Sequence, residues 1–283
     1  MKKLVPIAAL LALAACSDDD GSAGTGTVAF TTYGEDYIEK EIPASDVEDG
    51  WRITFTKFLL ALGPVSVGES ASGAPAVTMP GAKLFDMHRS GDKAVFSASL
   101  PAKAYPHVSF VVAPASAAIE LADGVPDADK QLMVSNGYSV YVEGSMAKGA
   151  ATKSFKWGFK TSTLYDGCKG ELAGKETEGV VVTNGGTDTV ELTIHGDHFF
   201  YDDLQSPDAK VRGDHLAEAD TNGDGEITLE ELAAVQLAAL PKEKGTFGTG
   251  TASNVNDLRA FLEALSRTVG HFRGEGECFA KPR

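Results

Sequence analysis

Eight short runs of alternating or β-branched residues, parted by turn signals, occupy the chain from Thr27 to Ile194 and limit its fold more than any other feature. They cover residues 27–32, 51–67, 94–100, 107–112, 138–146, 154–160, 179–183 and 188–194. In 154–160, Phe155, Trp157 and Phe159 fall on one face and Lys156 and Lys160 on the other. That period of two belongs to a strand with one buried and one solvated face. Val190, Leu192 and Ile194 alternate with Glu191 and Thr193 in the same way. Within 51–62 the phase slips, Ile53 and Phe55 having one parity and Phe58, Leu60 and Leu62 the other, which predicts a bulge near Thr56. Asn184-Gly185-Gly186, between two runs, predicts a hairpin. Together these signals predict an antiparallel β-sandwich over residues 27–196.

Past His195 the period changes. Ser206-Pro207-Asp208 offers a capping hydroxyl, a proline for the first turn and an acid, and predicts a helix to about Ala219. A second helix is expected from Leu229 to Leu240, stopped by Pro241. Leu258, Phe261, Leu262, Leu265 and Val269 form the apolar stripe of a third. The expected class is mainly β with a C-terminal helical part (α+β), the helical region being residues 197–283.

The start of the chain speaks for its compartment. Lys2 and Lys3 precede an apolar run from Leu4 to Ala15. It falls short of the ~20 residues that span a bilayer, so it has the form of a signal peptide. Leu13-Ala14-Ala15-Cys16 resembles the bacterial lipobox. That resemblance implies removal of residues 1–15, acylation of Cys16 and, with Ser17 next, delivery to the outer membrane of the cell envelope. Residues 16–26 are then a flexible polar tether. The formal charge of the 283 residues is −15, and loss of Lys2 and Lys3 takes it to −17. So acidic a chain repels nucleic acid and attracts cations. Once Cys16 is lipidated, Cys168 and Cys278 remain, and an oxidising compartment predicts a disulfide between them.

The acids are not spread evenly in character. Asp220, Asn222 and Asp224 alternate, Gly225 follows, and Ile227, Thr228 and Glu231 close a run of twelve. This run resembles the EF-hand calcium loop. Calcium takes six to eight oxygens, supplied in such a loop by side chains at positions 1, 3, 5, 9 and 12 and a carbonyl at position 7. The resemblance implies Ca2+ held by Asp220, Asn222, Asp224, the Glu226 carbonyl, Thr228 and a bidentate Glu231, with Gly225 making the turn. In the family, the residue matching Ile227 pairs with a second loop. No second loop is evident: Asp123–Asp129 and Asp197–Asp208 both lack the glycine and the terminal glutamate. A lone loop of this kind is expected to be a structural staple.

His195, His198 and His215 lie close in sequence, and Asp197, Asp202, Asp203 and Asp214 lie among them. Imidazole and carboxylate together suit zinc or copper. His195, Asp197 and His198 are therefore candidates for a second metal site, against the alternative of polar residues bonding locally at a junction. Catalytic signatures such as Gly-x-Ser-x-Gly or His-Glu-x-x-His are missing, and an enzyme is not expected. The leading expectation is a calcium-binding protein tethered to the membrane through Cys16, its sandwich serving an envelope ligand or protein partner. The alternative is a transition-metal carrier or metalloenzyme using His195, His198 and a nearby carboxylate.

Overall fold

The computed structural model describes residues 24–172 and 174–283, so the expected signal peptide, residues 1–15, and Cys16 lie outside the described residues. In chain order the strands that build the fold are β1 (Thr25–Gly34), β2 (Arg52–Gly68), β3 (Lys93–Pro101), β4 (His107–Val112), β5 (Val140–Lys148) and β6 (Ala151–Phe159). They continue with β7 (Thr163–Asp166), β8 (Thr187–Ile194), β9 (Glu226–Ile227), β10 (Gly270–Phe272) and β11 (Phe279–Pro282). The helices are α1 (Asp36–Glu39), α2 (Asp127–Asn136), α3 (Asp214–Ala217), α4 (Leu229–Ala234) and α5 (Leu258–Leu265).

Phe155, Trp157 and Phe159 are buried as their alternation requires, and the chain is mainly β and sandwich-like. One sheet has the order β10-β8-β1-β3. The other runs β9-β6-β5-β2-β4-β7-β11, with short strands added along β2. Val28 and Phe30 of β1, Val190 and Leu192 of β8, and Ile53, Phe55 and Phe58 of β2 belong to one apolar cluster between the sheets. The predicted bulge is present, because the β2–β5 register shifts between Phe55 and Lys57.

Several expectations need correction. The sandwich is not wholly antiparallel: β1 and β8 run parallel, from Thr27 opposite Thr187 to Gly34 opposite Ile194. Asn184-Gly185-Gly186 makes a turn, with Gly186 N donating to Thr183 O, but no hairpin. The residues before it pair elsewhere, Val180 with Tyr105. Thr25 and Gly26, expected to belong to a tether, are in β1, and the rest of that stretch up to residue 23 lies outside the described residues. No helix spans 206–219. Asp203 Oδ1 accepts from Gln205 N and Ser206 N, and Asp202 Oδ1 from Lys210 N. Such local bonds satisfy the backbone outside a helix, and α3 is left as a single turn. The helix expected to reach Leu240 stops at Ala234, where Val235 turns extended and its carbonyl accepts from Leu258 N.

The third helix forms as α5, with Asp257 accepting from Ala260 N and with Leu258, Phe261, Leu262 and Leu265 buried. Beyond it lie two strands that the helical pattern does not announce. β10 pairs antiparallel with β8, and β11 with β7. With β9 on the edge of β6, residues 197–283 thus contribute strands to both sheets. The Cys168–Cys278 disulfide is present and closes a separation of 110 residues.

Candidate metal centre

The parallel pairing of β1 and β8 decides where chemistry gathers. Both strands end together, so Glu35, next after Gly34, comes beside His195, next after Ile194. Glu35 N donates to Ile194 O, and His195 N donates to Val269 O. On the other side of β8, the register with β10 sets His271 opposite Thr193. Gly270, beside it, lets β10 lie close on Tyr165, for a Cβ there would meet Tyr165 Cζ at 2.9 Å.

His198 arrives on a 3-10 turn, Asp197–Phe200. Phe199 and Phe200 are fully buried and anchor that turn. Phe199 stacks on Phe159 at 5.1 Å, and Phe200 meets Phe155 edge-on at 5.9 Å. Each buried ring is worth roughly 1.5–3 kcal/mol, which holds His198 firmly against the sheet ends.

His195, His198 and His271 therefore converge, and they offer ligand nitrogens that all lie within 4.8 Å of one another. The ring centroids of His195 and His271 are 4.1 Å apart, and those of His198 and His271 are 5.1 Å apart. The three residues are 4%, 8% and 7% exposed. His195 Nε2 and His271 Nδ1 are buried and have no hydrogen-bond partner, although buried polar atoms as a rule have one. His198 Nδ1 lies 2.8 Å from Thr268 Oγ1, whose own proton goes to Leu265 O. The hydroxyl must then accept from His198 Nδ1–H, leaving the lone pair on Nε2. His195 Nδ1 stands 3.4 Å from Glu35 Oε2, close enough for the carboxylate–histidine pairing that orients metal ligands to form once an ion keeps Glu35 ionised.

The electrostatics follow from burial. Desolvation, then His271, pushes His195 down to about 4. Desolvation, then His271 and His195, holds His198 well below the usual histidine value. Both rings are neutral at pH 7, as metal ligands must be. Burial, then the neighbouring Asp197 carboxylate, lifts Glu35 to about 8. In front of the imidazoles opens a cavity of about 500 Å³, lined also by Tyr165, Tyr201, Thr268, Glu275, Glu277 and Cys278.

Of the residues predicted for this site, His195 and His198 meet, and Asp197 does not join them. Its Oδ2 accepts from Tyr201 Oη at 2.8 Å. His215 also lies apart, with Nε2 3.3 Å from Gly245 O. Asp202 pairs with Arg212, and Asp214 with Lys148 and Trp51. His271 is the member of the cluster that sequence neighbourhood does not point to.

The loop 220–231 closes on its own backbone. Gly223 N and Gly225 N donate to the two Asp220 oxygens at 2.8 and 3.0 Å. Asp224 N donates to Asn222 Oδ1, and Glu226 N to Asp224 Oδ1. Gly225 takes φ of 87°, the left-handed turn its position demands. Thr228 and Glu231 form a capping box at the start of α4, while Glu231 Oε1 is buried without a partner. Lys153 forms an ion pair with Asp220, whose carboxyl it holds below the usual range. Ile227 has no second loop to pair with and takes the edge of β6 instead, opposite Phe155, while Trp157 Nε1 donates to its carbonyl at 2.8 Å.

No family model matches the chain, and no curated protein matches it. Among solved structures, MbnP from Methylosinus trichosporium superposes with a TM-score of 0.34 at 17% identity, over 62% of this chain and 77% of that one. A superposition that loose fixes neither topology nor chemistry.

Proposed function

We propose that the chain is an exported metal-binding protein whose centre is the cluster His195, His198 and His271, suited to zinc or copper. The observation that carries this reading is the pair of buried, partnerless ring nitrogens, His195 Nε2 and His271 Nδ1, on imidazoles that converge with a third. A tetrahedral ion with bonds of about 2.0–2.1 Å would draw the three nitrogens to ~3.3 Å from each other. Three nitrogen ligands leave one position on the ion, and the cavity faces it. Glu35 would orient His195, and Thr268 would orient His198. Zinc titration of metal-free protein tests the reading: one ion per chain supports it, and no uptake defeats it.

Calcium at Asp220, Asn222, Asp224, Glu226, Thr228 and Glu231 is a second reading. The partnerless Glu231 Oε1 and the glycine turn at Gly225 favour it. The ion would then act as a staple between the loop and the β6 edge. The Lys153 ammonium on Asp220 opposes it and must move aside for the cation. A lipid anchor at Cys16 would place both sites at the envelope membrane, and Cys16→Ser should release the protein from detergent-extracted membranes into the aqueous phase.

A further inference from the structure

His195 belongs to two constellations. One is the histidine cluster, and the other is Glu35, His195 and Glu275, whose ligand atoms also lie within 4.8 Å of one another. The two sets differ in depth. His198 and His271 are buried, Glu35 is partly exposed, and Glu275 is exposed at the cavity wall. His195 reaches both from a side chain that is 5% exposed, with Nδ1 3.4 Å from Glu35 and Nε2 free of any partner.

The sets differ in chemistry as well. Carboxylates suit hard, still hydrated cations, whereas imidazoles suit zinc and copper. The geometry points to a staging site, in which Glu275, Glu35 and His195 first capture a divalent transition cation and then pass it inward to His198 and His271. This rests on the histidine cluster being the ion's resting place. A neutral imidazole has one lone pair, so His195 serves one ion at a time, and the inward step moves its proton from Nε2 to Nδ1, on the side of Glu35. The ion gives up its waters in stages, first to an exposed carboxylate and last to buried nitrogens. An acidic rim before a low-dielectric pocket also raises the local cation concentration.

A residue that only lowers the barrier on the way in lowers it on the way out. The test is stopped-flow uptake and release of cobalt(II) by the metal-free chain, followed by the visible band of four-coordinate cobalt. For Glu275→Gln, uptake and release should both slow about tenfold, the effect of raising a shared barrier by about 1.4 kcal/mol, while Kd stays unchanged. Glu69→Gln, an equal charge loss at an exposed acid paired with Lys103, should leave both rates as they are. Unaltered rates in Glu275→Gln would overturn the staging site. So would a weakened Kd with intact uptake, which marks a permanent ligand, or two cobalt ions bound together. A wild-type chain that takes up no cobalt would remove the underlying reading, and the staging site with it.

Discussion

The Thr268 hydroxyl lies 2.8 Å from His198 Nδ1 and 2.9 Å from the Leu265 carbonyl oxygen. One proton cannot serve both, so the direction of the bond chooses the tautomer of His198. Thr268→Val should weaken zinc binding roughly 10–100-fold, the usual cost of losing a partner behind a metal ligand. Thr268→Ser should restore it. Equal affinities across the three proteins, measured calorimetrically, would show that the hydroxyl does not set the ring.

The metal-free protein should lose stability in acid. An unfolded histidine takes its proton near pH 6.5, but His195 takes it only at about 4 when folded. The folded state binds fewer protons in that window, so stability present above pH 6.5 is lost as the pH falls toward 4. His198 acts in the same direction. Glu35, lifted to about 8, acts oppositely, and its share is lost as the pH rises from 4.5 to 8. Two imidazoles outweigh one carboxyl below pH 6.5, so the melting temperature should peak near pH ~6.5. A peak below pH 5 would refute this balance.

Cys278 lies on the cavity wall, and its disulfide ties the segment after His271 to β7's end of the second sheet. Replacing Cys168 and Cys278 by serine should cost about 4–5 kcal/mol on the chain-entropy estimate. It should also weaken zinc binding, because His271 then sits on a looser strand. Chemical unfolding and zinc titration of the double variant check the two effects separately. A less stable protein with undiminished affinity would show that the disulfide serves the fold alone.

Calcium should raise the melting temperature of the full chain, by about 2.7 kcal/mol of stability at a hundredfold excess over Kd. Glu231→Gln should remove most of that gain. Lys153→Ala should tighten calcium binding, because it frees Asp220 from the ammonium. Calcium-independent melting in all three proteins would end the calcium reading.

How far these sites can be read from the residues depends on how local they are. His195 and His198 lie three residues apart at the end of β8, so their nearness shows in the sequence, whereas His271 joins them only through the β8–β10 register. Strand β10 is three residues long and owes its state to pairing, which propensity does not reveal. Asp197 sits between two of the clustered histidines in sequence, yet the 3-10 turn sends it to Tyr201. The alternation in Ser154 to Lys160 and the phase slip at Thr56 are legible because burial of one face imposes them directly. The parallel partnership of β1 and β8 is not, since two half-buried strands look alike whichever way they run.

Zinc titration of the metal-free chain, repeated with His195, His198 and His271 each changed to Gln, asks whether three imidazoles make one centre. The wild type should bind one zinc ion per chain, each single substitution should weaken binding strongly, and His215→Gln, with its ring on Gly245 instead, should leave it unchanged. Wild-type protein that is folded yet takes up no zinc or copper, or whose uptake survives loss of all three histidines, would contradict the assignment.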